Sequence, residues 1–254
     1  MLFRSPSIDF SIHVGNAYTM IEHRVFSQEA QSGDPTYTLM GFSADSRRLA
    51  WLVQCPDDSH YCIWDIDADQ NKPPRRVPAT AKPNFALWQF RSLSFDPQGR
   101  RAVTTHWPSP KGETDLCVRV WDNDTGELLV VMSGHSEQVT HASFSPDGRR
   151  VLSASRDGTA KAWDAESGMC LLSLEGHGAG LRSATFSPDG CYIAAGSVDG
   201  IVQLWRGDGV RLATFTEHTG IITHIVFSPD GQTLSSGDST GIVYLRDIGG
   251  TILH

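Results

Sequence analysis

Short apolar runs separated by tight polar turns fill the middle of this chain. Val139 to Phe144 ends at a Ser-Pro-Asp-Gly turn, and Val151 to Ser155 ends at an Asp-Gly pair. Two further runs, Thr159 to Trp163 and Met169 to Leu174, lie on either side of a Glu-Ser-Gly turn. Proline presets φ and glycine supplies positive φ, so each of these turns reverses the chain. The pattern predicts four strands of about five residues in one antiparallel sheet.

The whole unit then repeats. A histidine, a Phe-Ser-Pro-Asp-Gly turn and a tryptophan recur at a spacing of 42 residues: His135, Phe144–Gly148 and Trp163, then His177, Phe186–Gly190 and Trp205. A third copy, 41 residues further on, carries His218 and Phe227–Gly231. One such sheet cannot bury both of its faces, so the copies must stack face to face. A period in the low forties with a Gly-His opening and a Trp-Asp close is typical of propeller blades, and the unit closely resembles the WD40 repeat.

The resemblance implies an all-β fold, a WD40 β-propeller of four-stranded antiparallel blades. Five blades are recognisable, at about residues 37–80, 81–132, 133–174, 175–216 and 217–254. Residues 1–36 form an irregular β segment without a blade signature, in which FSIHV and AYTMI flank Gly15-Asn16 and predict a hairpin. This segment either forms a partial sixth blade or leaves the ring open. An open ring would expose apolar sheet faces and edges, and these favour self-association.

Composition narrows the class of protein. The chain has 254 residues, 39% hydrophobic and 20% charged, which is typical of a soluble globular domain. Its net charge of −8 argues against a general affinity for nucleic acid. No apolar run approaches the roughly 18 residues of a membrane span, and the N-terminus lacks the apolar core of a signal peptide. The odd number of cysteines, five, indicates a reducing compartment. We expect a cytoplasmic protein, with the nucleus as the alternative, and not a secreted one.

Four positions recur together in the two best-formed copies: His135, Ser155, Asp157 and Trp163, then His177, Ser197, Asp199 and Trp205. Ser, His and Asp in one unit are also the residue types of a hydrolase triad. The resemblance implies instead the hydrogen-bonded tetrad of WD40 blades, in which a buried indole N–H finds an acceptor in a connected polar network. A nucleophile is needed once, whereas this group recurs. We therefore expect a structural role and no catalytic residue, with a propeller-scaffold hydrolase as the alternative.

In the last copy the matching positions are His218, Asp238, Thr240 and Arg246, so the indole is lost there. The chain shows neither a phosphate-binding glycine-rich loop nor the His spacing of a zinc site. We therefore expect no cofactor and no metal. The predicted function is a non-catalytic protein–protein interaction scaffold or adaptor of the WD40 type. The alternative within this class is a WD40 sensor array related to those of signalling NTPases, here without the NTPase.

Two loops between second and third strands are enlarged, at Gln54–Asp57 and Trp107–Thr114. The resemblance implies that these loops lie on the top face, where WD40 domains usually meet their partners. The family's contact positions fall on these residues of this chain: Gln138, Thr140, Arg156, Gly180, Arg182, Val198, Ile221, Thr223 and Ser239. Trp107 and Lys111 in the longer loop complete the candidate partner-binding set.

Arg156 and Arg182 belong to adjacent blades. If they approach one another, the two guanidiniums would suit an acidic or phosphorylated peptide of a partner protein. The alternative is two unrelated surface arginines.

Three of the turns are followed by paired arginines: Arg47-Arg48, Arg100-Arg101 and Arg149-Arg150. The resemblance implies that these turns lie on the bottom face. The pairs could form a basic arc for an acidic partner. We favour a structural interpretation, in which each pair is a solvated strand start and one arginine of each lies along apolar surface.

Overall fold

The computed structural model describes residues 10–15, 22–28, 36–42, 47–54, 60–65, 75–78, 90–106, 116–249 and 251–253. These residues contain six antiparallel β-sheets and no helix.

The first sheet is a hairpin, the next four sheets have four strands each, and the last has three. The strands, sheet by sheet, are β1 (Phe10–Gly15) and β2 (Glu22–Gln28); β3 (Thr36–Phe42), β4 (Arg48–Gln54), β5 (His60–Asp65) and β6 (Arg75–Pro78); β7 (Phe90–Phe95), β8 (Arg101–His106), β9 (Val118–Asp122) and β10 (Leu128–Met132); β11 (Val139–Phe144), β12 (Arg150–Ser155), β13 (Ala160–Asp164) and β14 (Cys170–Leu174); β15 (Leu181–Phe186), β16 (Tyr192–Ser197), β17 (Val202–Arg206) and β18 (Arg211–Phe215); β19 (Ile222–Phe227), β20 (Thr233–Asp238) and β21 (Val243–Asp247). The strands predicted for the central unit agree with β11 to β14 within one residue at each end, so the four-stranded blade is confirmed.

The N-terminal segment contains a hairpin, but its second strand is not the predicted one. β1 pairs with β2, whereas we expected AYTMI, residues 17–21, which lie outside the described residues. The register places Ile12 opposite Phe26 and His13 opposite Val25.

The five blade sheets stack in chain order through their first strands, which contact one another from β3 to β7, β11, β15 and β19. Apolar side chains of neighbouring sheets meet in shared cores, such as Val103 with Ala142 and Leu152 with Phe186. β12 and β16 each bury five consecutive residues because both faces of their sheets are covered. β20 instead alternates between buried and half-buried residues. The last sheet therefore buries one face more completely than the other.

The Ser-Pro-Asp-Gly turn is held by a small hydrogen-bond network. The Ser145 hydroxyl lies 2.5 Å from the Asp147 carboxylate, which also accepts the backbone N–H of Arg149 at 3.0 Å. The N–H of Gly148 donates to the Ser145 carbonyl at 2.8 Å, and its φ of 70° requires glycine. Asp147 has a lowered pKa, chiefly because the Ser145 hydroxyl bonds to its charged form. These contacts fix the end of every sheet that carries this turn.

The second arginine of each pair connects two sheets. We call Arg48, Arg101 and Arg150 the interblade arginines. Each donates to the carbonyl of the turn glycine in the next sheet: Arg48 to Gly99 (2.6 Å), Arg101 to Gly148 (2.6 Å) and Arg150 to Gly190 (3.2 Å). Arg101 and Arg150 also lie over the turn phenylalanines of the next sheet, 5.1 and 4.9 Å from the ring centroids of Phe144 and Phe186. The geometry therefore favours the structural interpretation of these pairs over the basic arc.

A polar chain runs through the third blade sheet, but its hydroxyl is not the predicted one. The Trp163 indole donates to Ser153 at 2.8 Å, and the Ser153 hydroxyl lies 2.7 Å from His135 Nε2. His135 Nδ1 lies 2.8 Å from the Asp157 carboxylate. Ser155 was expected in this chain, yet its hydroxyl donates instead to the backbone carbonyl of Glu137 at 2.9 Å.

Strand register explains the correction. Trp163 pairs with Val151, and Ser153 is two residues further along the same face of β12. A diagonal neighbour at that offset is within reach of a long aromatic side chain, whereas Ser155 is four residues away. The same offset holds in the second blade sheet, where Trp121 pairs with Ala102 and donates to the hydroxyl of Thr104 at 2.8 Å.

The fourth blade sheet lacks this hydroxyl. Trp205 pairs with Ile193, so the equivalent position is Ala195, and Ser197 bonds instead to its near neighbour Asp199. Neither ring nitrogen of His177 has a hydrogen-bond partner among the described residues. Burial lowers the pKa of His177 to about 4, so the ring is neutral at physiological pH. The predicted second tetrad is thus not connected as expected, because an alanine interrupts it.

The last sheet has the same series of side-chain hydrogen bonds, but it starts from a different residue. Arg246 replaces tryptophan and donates to Ser236 at 3.1 Å, and the Ser236 hydroxyl lies 2.8 Å from His218 Nε2. His218 Nδ1 lies 2.8 Å from Asp238, which we had expected at the serine position. Arg246 is fully buried and pairs with Glu217 at 2.8 Å, so its charge is compensated.

We expect Arg150→Ala to lower the free energy of unfolding by about 1–3 kcal/mol, because it removes charge-assisted hydrogen bonds and a cation–π contact to the next sheet. The exposed neighbour Arg149 provides the matched control, and Arg149→Ala should change stability by no more than about 0.5 kcal/mol. Urea unfolding of both variants measures this. Equal losses would contradict the role given to the interblade arginines.

A double-mutant cycle separates the two serines of β12. Because Ser153 accepts from the Trp163 indole, Ser153→Ala and Trp163→Phe should be non-additive by about 0.5–3 kcal/mol. Ser155→Ala and Trp163→Phe should add within about 0.5 kcal/mol, since Ser155 bonds to backbone. Chemical unfolding of the single and double variants gives both numbers. Coupling of Trp163 to Ser155 and not to Ser153 would show that the register argument is wrong.

Candidate functional site

A cavity of about 360 Å³ opens at the end of the sheets opposite the Ser-Pro-Asp-Gly turns. We call it the arginine cavity. Its lining comes from four successive sheets: Arg91, Glu137, Thr140, Arg156, Gly180, Leu181, Arg182, Val198 and Ile221. The first strand of each sheet begins beside the cavity and runs away from it, and the second strand returns. Stacking of the sheets thus brings equivalent positions of successive repeats together.

Arg91, on β7, is the most constrained of the three arginines. Its Nε donates to the Thr140 carbonyl at 2.9 Å, and Nη1 lies 3.4 Å from the Gln138 side-chain oxygen. Burial lowers the pKa of Arg91 to about 10, and repulsion by Arg182 and Arg156 adds to this effect. Arg91 remains protonated at neutral pH. The charges of Arg156 and Arg182 therefore act on Arg91 across the cavity.

Arg156 is held at the cavity by close backbone packing. Its N–H donates to the Gln138 carbonyl at 2.9 Å. Its own backbone rests on Gly180 of the next sheet, where an added Cβ would lie 2.9 Å from the Arg156 carbonyl oxygen. Gly180 in turn accepts the N–H of Val198 at 2.9 Å. A side chain at position 180 would displace Arg156, so this glycine sets the distance between the two sheets at the cavity.

Thr140 and Gln138 are the buried residues that hold Arg91 in place at the cavity. Both residues are buried, each 6% exposed. The Thr140 hydroxyl lies 3.0 Å from the carbonyl oxygens of Ala154 and Leu181, and so bridges two sheets. Arg156, Arg182, Val198 and Ile221 are instead exposed. The rim therefore combines two exposed cations with two exposed apolar side chains, and Glu137 is the single acidic residue among the described lining residues.

Six of the predicted contact positions line the cavity: Thr140, Arg156, Gly180, Arg182, Val198 and Ile221. Arg156 and Arg182 are thus brought to one site. Gln138 supports the cavity without lining it. Trp107, Lys111 and most of both enlarged loops lie outside the described residues. The tetrad residues lie within the blades and do not line the cavity.

Arg91 and Glu137 were not predicted. Arg91 is four residues before the turn phenylalanine Phe95, as Thr140 and Arg182 are before theirs. Counting back from this phenylalanine, rather than forward from the histidine that this repeat lacks, would have identified Arg91.

In the described part of the chain, no group of three or more His, Cys, Asp or Glu side chains could hold a metal ion. No helix within the described ranges is long and apolar enough to cross a membrane.

The family model described as "WD domain, G-beta repeat" matches residues 126–164, 168–206 and 209–247. Each matched segment begins with the outer strand of one sheet and ends with the third strand of the next, so that 126–164 spans β10 to β13. The sequence repeat is therefore offset by one strand from the structural blade. Every matched segment links two adjacent sheets covalently.

Three relatives each align with less than half of the chain. Coronin-7 of Pongo abelii is 33% identical over 120 residues, which are 44% of this chain and 12% of that protein. Nuclear distribution protein nudF 2 of Penicillium rubens is 34% identical over 118 residues, 44% of this chain and 25% of that protein. WD repeat-containing protein 37 of Homo sapiens is 30% identical over 107 residues, 42% and 20% respectively. The matches span a quarter or less of these relatives. Together with the stacked four-stranded sheets, the three matched segments identify the chain as a WD40-repeat protein.

Proposed function

We propose that this chain is a non-catalytic protein-interaction scaffold that binds its partner at the arginine cavity. One observation carries the proposal: three sheets contribute one guanidinium each to a single cavity, Arg91, Arg156 and Arg182. The exposed apolar side chains of Val198 and Ile221, each 41% exposed, lie beside them. Arginine together with apolar surface is the composition that protein interfaces favour.

The opposite end of the sheets is less suited to this role. Arg48, Arg101 and Arg150 donate to backbone carbonyls of the neighbouring sheets, so three of the six turn arginines serve the fold. Arg100 and Arg149 are exposed single charges at separate turns. A partner at that end would meet dispersed cations, whereas the cavity concentrates them.

The chain of hydrogen bonds in the third blade sheet supports a non-catalytic role. Ser153, His135 and Asp157 have the connectivity of a hydrolase triad, with links of 2.7 and 2.8 Å. However, Ser153 is 0% exposed and its hydroxyl also accepts from the buried Trp163 indole. A nucleophile needs space for a substrate carbonyl beside its oxygen. The proposal therefore assigns this serine to the fold and leaves the hydrolase alternative without an accessible nucleophile in this sheet.

The parts of the relatives that align with this chain are short. What they share with it is the repeat, which supports interaction as the general function. The proposal also places the protein in the cytoplasm or the nucleus. Cys170 and Cys191 are free thiols, which is compatible with a reducing compartment.

We expect the double variant Arg156→Glu/Arg182→Glu to lose the partners that the wild type captures from native extract. Reversing both charges converts an attractive site into a repulsive one, and like charges across an interface cost several kcal/mol. The measurement is affinity capture followed by quantitative mass spectrometry.

The matched control is Arg100→Glu/Arg149→Glu, which makes the same charge change at exposed arginines on the opposite end. It should retain the wild-type partners. All variants must melt at the wild-type temperature. Retention of every partner by the cavity variant, or their loss from the control alone, would locate binding away from the cavity.

A further inference from the structure

The last sheet has one face that no neighbouring sheet covers. In the fourth blade sheet, Val202 and Leu204 of β17 are buried against apolar side chains of the sheet that follows. Strand register places Val243 and Leu245 of β21 at the equivalent positions of the last sheet. These two side chains are 57% and 39% exposed. The last sheet therefore presents to solvent the positions through which the other sheets stack.

The first strand of the last sheet adds a third apolar side chain to this side. Phe227 packs in the core shared with the fourth blade sheet. Alternation along β19 turns its neighbour Val226 to the opposite side, and Val226 is 59% exposed. We call the surface formed by Val226, Val243 and Leu245 the terminal face.

Equivalent glycines show the same difference between the fourth and the last sheet. At Gly196 an added Cβ would overlap the Ile222 side chain of the next sheet, whereas at Gly237 it would meet only atoms of its own hairpin among the described residues. At the Asp-Gly turns, a Cβ on Gly200 would lie 2.6 Å from a backbone oxygen of the next sheet. On Gly241 it would meet no described atom within 4 Å. The terminal face is therefore open along its whole length.

The other end of the stack differs from the terminal face. Leu49 of the first blade sheet is paired with the turn phenylalanine, as Val151 is in the third. Val151 packs against the preceding sheet, and Leu49 is 1% exposed. The outward side of the first blade sheet is thus covered within the chain at this position. Head-to-tail association needs both ends of the stack, so the geometry favours a closed contact between two terminal faces.

The centre of the terminal face suits contact with a second copy. Ser235 and Gly237 of β20 lie between the apolar side chains of β19 and β21, so the middle strand contributes no charge and one depression. Thr233 has the position of the interblade arginines of the first three blade sheets. In a two-fold contact each residue meets the same patch of the other copy, so an arginine there would approach a like charge.

The size of the terminal face sets the expected affinity. Its three strands have six, six and five residues, and they cover roughly 15 by 20 Å at the usual strand spacing and rise. Two such faces in contact bury an area at the low end of specific interfaces, roughly 1,200 Å² in total or less. We therefore expect reversible association in the micromolar range.

We propose that two copies of this chain associate through their terminal faces and form a two-fold symmetric dimer. This inference goes beyond the proposed scaffold function and does not depend on it. The dimer carries two arginine cavities. A partner protein with two binding segments is then held more tightly than by a single copy, because its second binding event is intramolecular.

Sedimentation velocity of the purified full chain, from submicromolar to several hundred micromolar, tests the dimer. We expect the wild type to change from monomer to dimer over this range and to form nothing larger. Val243→Glu should raise the dissociation constant at least about tenfold, because a two-fold interface contains the new charge twice. The variant should remain folded, since this side chain is exposed in a single copy.

Two further variants assign the association to the terminal face. Val131→Glu on β10 is the matched control, because Val131 is an equally exposed valine of another sheet, and it should dimerise as the wild type does. Val243→Lys should be monomeric by itself. Mixed with Val243→Glu it should restore the dimer, since opposite charges then meet across the two-fold interface.

A wild type that stays monomeric at every concentration would overturn the inference, as would assemblies larger than a dimer or a Val243→Glu variant that dimerises with wild-type affinity. A monomer that loses a captured partner only on Val243→Glu would assign the terminal face to another protein and equally refute the dimer. None of these results bears on the arginine cavity, which Arg156→Glu/Arg182→Glu tests separately.

Discussion

A four-stranded sheet has two faces, and in this chain each blade sheet depends on its neighbours to cover them. The apolar positions of β12 and β16 are buried from both sides, whereas those of β20 lie on one well-covered face. Burial of apolar surface is the dominant favourable term in folding. Stacking is therefore the condition under which these sheets are stable. The interblade arginines add hydrogen bonds to this packing. Because the sequence repeat is offset by one strand from the blade, each repeat also links one sheet covalently to the next.

The same stacking builds the candidate site. Each blade contributes a single arginine, such as Arg91 or Arg182. Stacking of three blades brings these arginines to one cavity. Gly180 allows the approach, since any side chain there would meet the Arg156 backbone. Folding energy from the cores thus holds like charges together.

Local features of the sequence predicted the blades well, because turn chemistry and strand alternation act over a few residues. Features that depend on register or stacking were predicted less well. The repeat pattern predicts Ser155 in the polar chain because the sequence does not reveal that the Ser153 hydroxyl lies diagonal to Trp163. Arg91 is not predicted by the repeat pattern because its repeat has Ala86 in place of the histidine that marks the contact positions. One arginine of each pair contacts the next blade. Strand alternation identifies this arginine only once the position of the neighbouring blade is known.

Hydrogen–deuterium exchange of the chain with a captured partner tests most directly whether binding occurs at the arginine cavity. Backbone amides at an occupied interface exchange more slowly. The account predicts slower exchange in peptides spanning residues 136–142, 154–158 and 179–183, with no change in those spanning 145–149 and 187–191. Protection confined to the latter two turns would contradict it, because these lie at the opposite end of the same sheets.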